Sequence, residues 1–175
     1  MVPGACRAAP HGQRARLRAP GALRAARPQA RLSEELRRAQ HALEETWSTL
    51  TAADWQRPVR FRSATLLDTA LARRREAEIH AVDLAAGHRP RDWSLPFALH
   101  ALDFLAPRAP AGTLLVLRAT DDGFSRALGS GAAVEVSGPV RDLAAWMAGR
   151  GTDGPLRTDA RALPEPGPWP PDPAD

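Results

Sequence analysis

The sequence predicts an α+β chain in two parts, a set of helices followed by a small antiparallel sheet with one further helix. Three observations carry this prediction. Apolar residues recur at steps of three and four between Leu32 and Leu105. After residue 112 the pattern changes to short β-rich runs separated by Gly and Asp turn signals. Between these regions stands "APRAPAG" (106–112), a Pro- and Gly-bearing linker.

The first helix opens at Ser33, where Glu34 and Glu35 favour the positive end of the dipole. Leu32, Leu36, Ala39, Leu43, Trp47 and Leu50 form its apolar stripe. Pro58 stops any continuation. The second helix runs from about Ser63 to Ala86, with Gly87 as its C′ residue. Apolar residues lie on both its flanks (Leu66, Leu67, Ala70 and Leu71; Ile79, Val82 and Leu84), so a helix buried in a bundle is expected. "HRPRDWS" is a loop, after which Ser94 caps a third helix with Pro96 in its first turn.

In the second part, "TLLVLRAT" reads as a strand, "DDG" (121–123) as a hairpin turn and "FSRALG" as the returning strand. "GSG" (129–131) reads as a turn. "AAVEVSG" alternates apolar and polar residues and makes a third strand. A helix over "PVRDLAAWMAGR" places Leu143, Trp146 and Met147 on one face. The tail "LPEPGPWPPDPAD" has too many prolines for regular structure.

Composition narrows the function classes. The 175 residues suffice for one domain with a real core or two small ones. No apolar run approaches the roughly 18 residues a membrane span needs, and no apolar signal-peptide region opens the chain. A soluble, cytoplasmic protein with no membrane partner is expected. All 24 basic residues are Arg. With Lys, Asn and Tyr absent, this is the imprint of a GC-rich genome rather than a choice of guanidinium chemistry.

Residues 1–31 carry seven Arg and no acid, whereas the remaining 144 residues carry 17 Arg against 20 acids. The basic balance therefore belongs to the head. A basic arm is one route to nucleic acid, but this one has no aromatic residue to stack on bases, and no nucleic-acid partner is expected. Residues 1–30 read as a disordered Arg/Pro/Gly-rich segment. A targeting-type leader and translation from a wrong upstream start are the other readings. Cys6 is the single cysteine, so a metal site must rely on His and carboxylate.

The chemistry concentrates in "LARRREAEIHAVDLAAG" (71–87). Glu76 and His80, at i and i+4, lie one turn apart on one helix face. They can offer an oxygen and a nitrogen to one ion, a mix suited to zinc and its neighbours. Such pairs are also common on solvated helices, and two ligands alone do not hold a metal. Asp83, one turn on, either orients the His80 imidazole or pairs with an Arg. The remaining histidines are poor third ligands by position. Arg150, closing "WMAGR", is either a cation at a helix C-terminus or an anion clamp for a carboxylate substrate.

"RRREAEIHAVDLAAG" resembles the R-x-x-E-x-x-x-H-x-V-D-L-x-x-G signature of the mycothiol-dependent maleylpyruvate isomerase family, a branch of the DinB-like four-helix metalloproteins. "ATDDG…VEVSGPVRDLAAWMAGR…LP" resembles that family's small C-terminal domain. The resemblance covers about Arg31 to Trp169. It implies a fold made of an incomplete DinB-like helical bundle followed by a small antiparallel α+β domain. Residues 1–30 would be the head, 31–106 a truncated helical metal-binding domain and 113–170 the C-terminal domain.

The resemblance further implies zinc, or another divalent metal, held by three residues. Glu76 and His80 match the Glu and the second His of that set. The family's first His lies in a "GW-x-x-x-x-V-x-x-HLA" helix. No such segment stands here, so a member without its first helix and first ligand is expected. Mycothiol would be the thiol cosubstrate, adding to an activated double bond of a small-molecule substrate and leaving after rotation. Arg150 would hold the substrate carboxylate. A non-catalytic remnant or binding module of the same fold is the alternative.

Overall fold

The structure is a computed structural model that describes residues 28–60 and 64–170. The Arg-rich head up to residue 27 and the expected helix start at Ser63 lie outside the described residues. The described residues divide into two units between Thr51 and Ala52.

In the first unit, helix α1 spans Gln29–Ser48. It begins ahead of Ser33, with Pro28 at the N-cap and no side-chain cap. Glu34 and Glu35 instead form ion pairs along the helix, Arg31 Nε to Glu35 at 3.2 Å and Arg38 Nε to Glu34 at 3.4 Å. Such i,i+4 pairs stabilise a helix by a few tenths of a kcal/mol each, about 0.2–0.5. None of its residues is buried.

In the second unit, a short helix α2 (Ala52–Trp55) leads to helix α3 (Leu66–Asp83). Thr65 and Asp68 form a reciprocal capping box that fixes where α3 starts. The helix ends three residues before the expected Ala86, and Ala85 (φ 51°) takes the first left-handed position rather than Gly87. Arg75 and Ile79 are the buried residues of α3, so the expected all-round burial is not realised. The physical reason is that, among the described residues of this unit, one edge of α3 meets the core, through Ile79 and through Trp93, whose Nε1–H donates to the Glu78 carbonyl at 3.1 Å.

Helix α4 (Leu95–Phe104) follows, capped as expected by Ser94, whose hydroxyl accepts from Phe97 N–H at 3.3 Å. Residues 106–112, read as a linker, include a 3-10 turn at Ala106–Arg108 and connect α4 to the sheet within one buried cluster. That cluster joins Trp93, Phe97, Leu102 and Leu105 to Leu115, Leu117, Val136, Leu143 and Met147.

The sheet contains β1 (Thr113–Ala119), β2 (Ser125–Gly129), β3 (Ala132–Gly138) and β4 (Arg157–Thr158), in the order β2-β1-β3-β4. This confirms the α+β class, but the sheet is mixed rather than purely antiparallel. β1 pairs antiparallel with β2 and parallel with β3, Thr113 facing Ala132. The chain leaves β2 beside the start of β1, crosses beneath that start and climbs its other edge. Residues 130–131 achieve this in two steps because Gly131 passes directly against Gly112, where a Cβ would stand 2.0 Å from the carbonyl oxygen.

Helix α5 (Val140–Met147) starts after Pro139. Val140 N–H donates to Asp121 of the hairpin turn at 2.8 Å, so the sheet itself satisfies the helix start. Buried Asp142 accepts from the backbone N–H groups of Asp153 and Gly154 at 2.7 and 3.1 Å. These bonds hold the loop that begins at Arg150. α4 packs on α5, which brings the end of α5 beside the end of α3.

Candidate functional site

The sequence-predicted residues converge on one edge of the second unit. His80 Nε2 lies 3.3 Å from Glu76 Oε2. Its other ring nitrogen, Nδ1, lies 2.8 Å from Asp83 Oδ2. An ionised carboxylate only accepts, so each ring nitrogen faces an acceptor, and the shorter contact, at 2.8 Å, favours the ring proton on Nδ1 toward Asp83.

Asp83 also receives Arg150 in a two-pronged contact, Nε to Oδ1 at 3.0 Å and Nη2 to Oδ2 at 2.6 Å. Both alternatives left open for Asp83 are therefore realised: it orients His80 and it pairs with an Arg. The Arg150 hydrogen bonds, and after them the His80 contact, hold the Asp83 carboxyl down at about 2. Arg150 Nη1 donates to the Ala148 carbonyl at 2.6 Å, so Arg150 also serves as the cation at the end of α5.

A cavity of about 190 Å³ opens here, lined by Arg75, Glu76, Ile79, His80, Phe104, Arg150 and Trp169. Helical geometry explains its chemistry. Arg75 and Ile79 form the inward stripe of α3, and Glu76 and His80 stand one position round from it, on the rim. They are accordingly 67% and 58% exposed, not buried as expected.

Five lining or supporting residues, Arg75, His100, Phe104, Arg108 and Trp169, were not singled out from the sequence. Buried Arg75 donates through Nη1 to His100 Nε2 at 3.0 Å and lies 3.8 Å above the Phe104 ring. Burial first, then Arg75 and Arg74, push the His100 imidazole below its ordinary value, which suits an acceptor. Trp169 meets Phe104 edge-on, with ring centres 6.1 Å apart. Arg108 and Arg150 lie 5.2 and 5.5 Å from the Trp169 ring. Arg108 also donates to the carbonyls of Gly167 and Met147 at 2.7 and 2.6 Å. The only sequence signal for this group was a lone Trp among prolines, which periodicity cannot interpret.

The donor chemistry fits one side of a divalent-metal site: two ligands one turn apart, with the imidazole oriented by a carboxylate behind it. Among the described residues, no group of three His, Cys, Asp or Glu is placed to hold a metal ion. Among them, too, no helix is long and apolar enough to cross a membrane.

No family model matches the chain, and no curated protein matches it. Two solved structures do. A mycothiol-dependent maleylpyruvate isomerase is 26% identical with a TM-score of 0.62, over 76% of this chain and 58% of its own. A histidine-to-alanine mutant of such an isomerase is 25% identical with a TM-score of 0.67, over 85% of this chain and 64% of its own. The chain thus spans less than two thirds of the length of these enzymes. Over the matched region it shares the α+β fold of mycothiol-dependent maleylpyruvate isomerases.

Proposed function

We propose that the chain acts as a mycothiol-dependent, divalent-metal-binding isomerase or thiol transferase on a small carboxylate-bearing electrophile. The observation that carries this reading is the chain of contacts Glu76–His80–Asp83–Arg150, of which Glu76, His80 and Arg150 line one cavity, in a fold shared with isomerases of that chemistry. A cytoplasmic location accords with a low-molecular-weight thiol as cosubstrate.

Glu76 and His80 would supply two of the ligands to the metal, zinc in the first place, and the remaining ligands would come from the cosubstrate, water or residues outside the described ones. Bound there, the cation would stabilise the thiolate form of the cosubstrate. Asp83 keeps the His80 ring turned with Nε2 toward Glu76, which removes a rotational freedom that a surface imidazole otherwise has. Arg150 uses three of its N–H donors on Asp83 and Ala148. The other two of the five a guanidinium carries are for the substrate carboxylate.

The test is metal content, read without turnover. Purified in buffer free of chelator, the full chain should carry about one zinc, displaced by competition with a chromogenic chelator. Glu76→Ala and His80→Ala should each abolish it. A wild-type chain that takes up no zinc at micromolar concentration would sink the metal-dependent reading. It would leave a binding module of the same fold.

A further inference from the structure

The C-terminal segment "LPEPGPW" (163–169) lacks regular structure yet has a defined seat. Gly167 N–H donates to the Arg108 carbonyl at 2.8 Å, and Arg108 Nε returns a bond to the Gly167 carbonyl at 2.7 Å. Pro164, Pro166 and Pro168 have no N–H and fixed φ, so the segment is a stiff strap. Beyond Gly167 it delivers Trp169 against Phe104, Arg108 and Arg150. The indole lines the cavity and is itself 43% exposed, so it forms part of the cavity's wall near the surface.

Size gives this wall a consequence. With the ring seated, the cavity measures about 190 Å³. Sites that take drug-sized ligands run from roughly 300 to 1,000 Å³.

We propose that Trp169 is the size-limiting residue of this cavity, admitting small carboxylates to Arg150 while its ring is seated and excluding larger ones. The proposal rests on the reading of Arg150 as a carboxylate clamp. Trp169 acts by steric exclusion: the aromatic contacts and the Arg108–Gly167 pair hold it in place, and a larger ligand must displace the ring at the expense of those contacts.

The experiment is calorimetric titration of the full chain with two carboxylates of one charge and different breadth, benzoate and pyrenecarboxylate. Wild type should favour benzoate by about tenfold, the scale on which a shaped apolar pocket discriminates. Trp169→Ala should tighten pyrenecarboxylate and bring the ratio to within about twofold. Trp169→Phe, which restores a ring, should recover part of the preference. A thermal melt of each variant checks that it is folded. An unchanged ratio in Trp169→Ala overturns the proposal, as does failure of benzoate to bind wild type. A parallel titration with mycothiol separates this inference from the function above. No mycothiol binding with a shifted carboxylate ratio refutes the thiol reading and supports the size limit.

Discussion

Replacing Asp83 by Asn tests the junction on which the site depends. The amide keeps the shape of the carboxylate but removes its charge and one acceptor oxygen. Arg150 then loses one prong of its contact, and His80 Nδ1 loses a charged acceptor. The side chains of Arg150 and Asp83 are 20% and 39% exposed, so the pair is partly screened by solvent. Exposed pairs contribute about 0.2–1 kcal/mol, and the two-pronged geometry places this one near the top, about 1 kcal/mol. For a unit of this size that corresponds to a fall in Tm of roughly 4 °C. Thermal unfolding of wild type, Asp83→Asn, Arg150→Gln and the double variant isolates the coupling energy. In the same four proteins, zinc competition should show about tenfold weaker binding whenever Asp83 is changed, the usual cost of losing a partner behind a metal ligand. Arg150→Gln alone should have a smaller effect on zinc. A coupling energy of zero would show that the pair contributes nothing to stability. Equal zinc affinity in wild type and Asp83→Asn would refute the orienting role of Asp83.

Three further outcomes follow from other contacts. Arg108→Met keeps an apolar stem but leaves the Gly167 and Met147 carbonyls without their donor; a loss of about 2–4 kcal/mol is expected in urea unfolding, with early proteolysis of the strap, and a loss below about 0.5 would contradict it. Gly131→Ala would set a Cβ 2.0 Å from the Gly112 carbonyl at φ 127°, so the β1 crossover should be destabilised by at least about 2 kcal/mol; an unchanged urea midpoint would show that the crossing is not tight. His100 is held neutral by burial and by Arg75. Its folded pKa lies below the unfolded value near 6.5, so the unfolded chain binds the extra proton first. The stability from neutral His100 is present above about pH 6.5 and declines as pH falls toward the lowered folded value. His100→Gln should flatten that part of the wild-type stability profile; identical slopes from pH 7 to 5 would rule this out.

How much of this was readable in advance depends on the range of the interactions. Local signals served well. Ser94 and Pro96 marked the start of α4, and the run 113–138 marked three strands. Glu76 and His80 were paired by helical spacing, and they do face each other. Signals that needed a partner from elsewhere misled or were silent. The all-round apolar content of α3 predicted burial, yet how much of a helix is covered depends on what packs there. "GSG" reads as a turn, but Gly129 ends β2, and the parallel course of β3 turns on Gly131 meeting Gly112, a contact no one-dimensional pattern contains.

By itself, then, the sequence determined the α+β class, the order of the main helices and of the first three strands, and the Glu76–His80 pair, because capping, alternation and i,i+4 spacing act within a few residues of chain. Only the tertiary structure decided that Asp83 serves His80 and Arg150 together, across 67 residues of chain. It also decided that Arg75, Phe104 and Trp169 complete the cavity. Those contacts exist because α4 and the sheet bury one common core, which brings the end of α5 and the proline strap to the edge of α3.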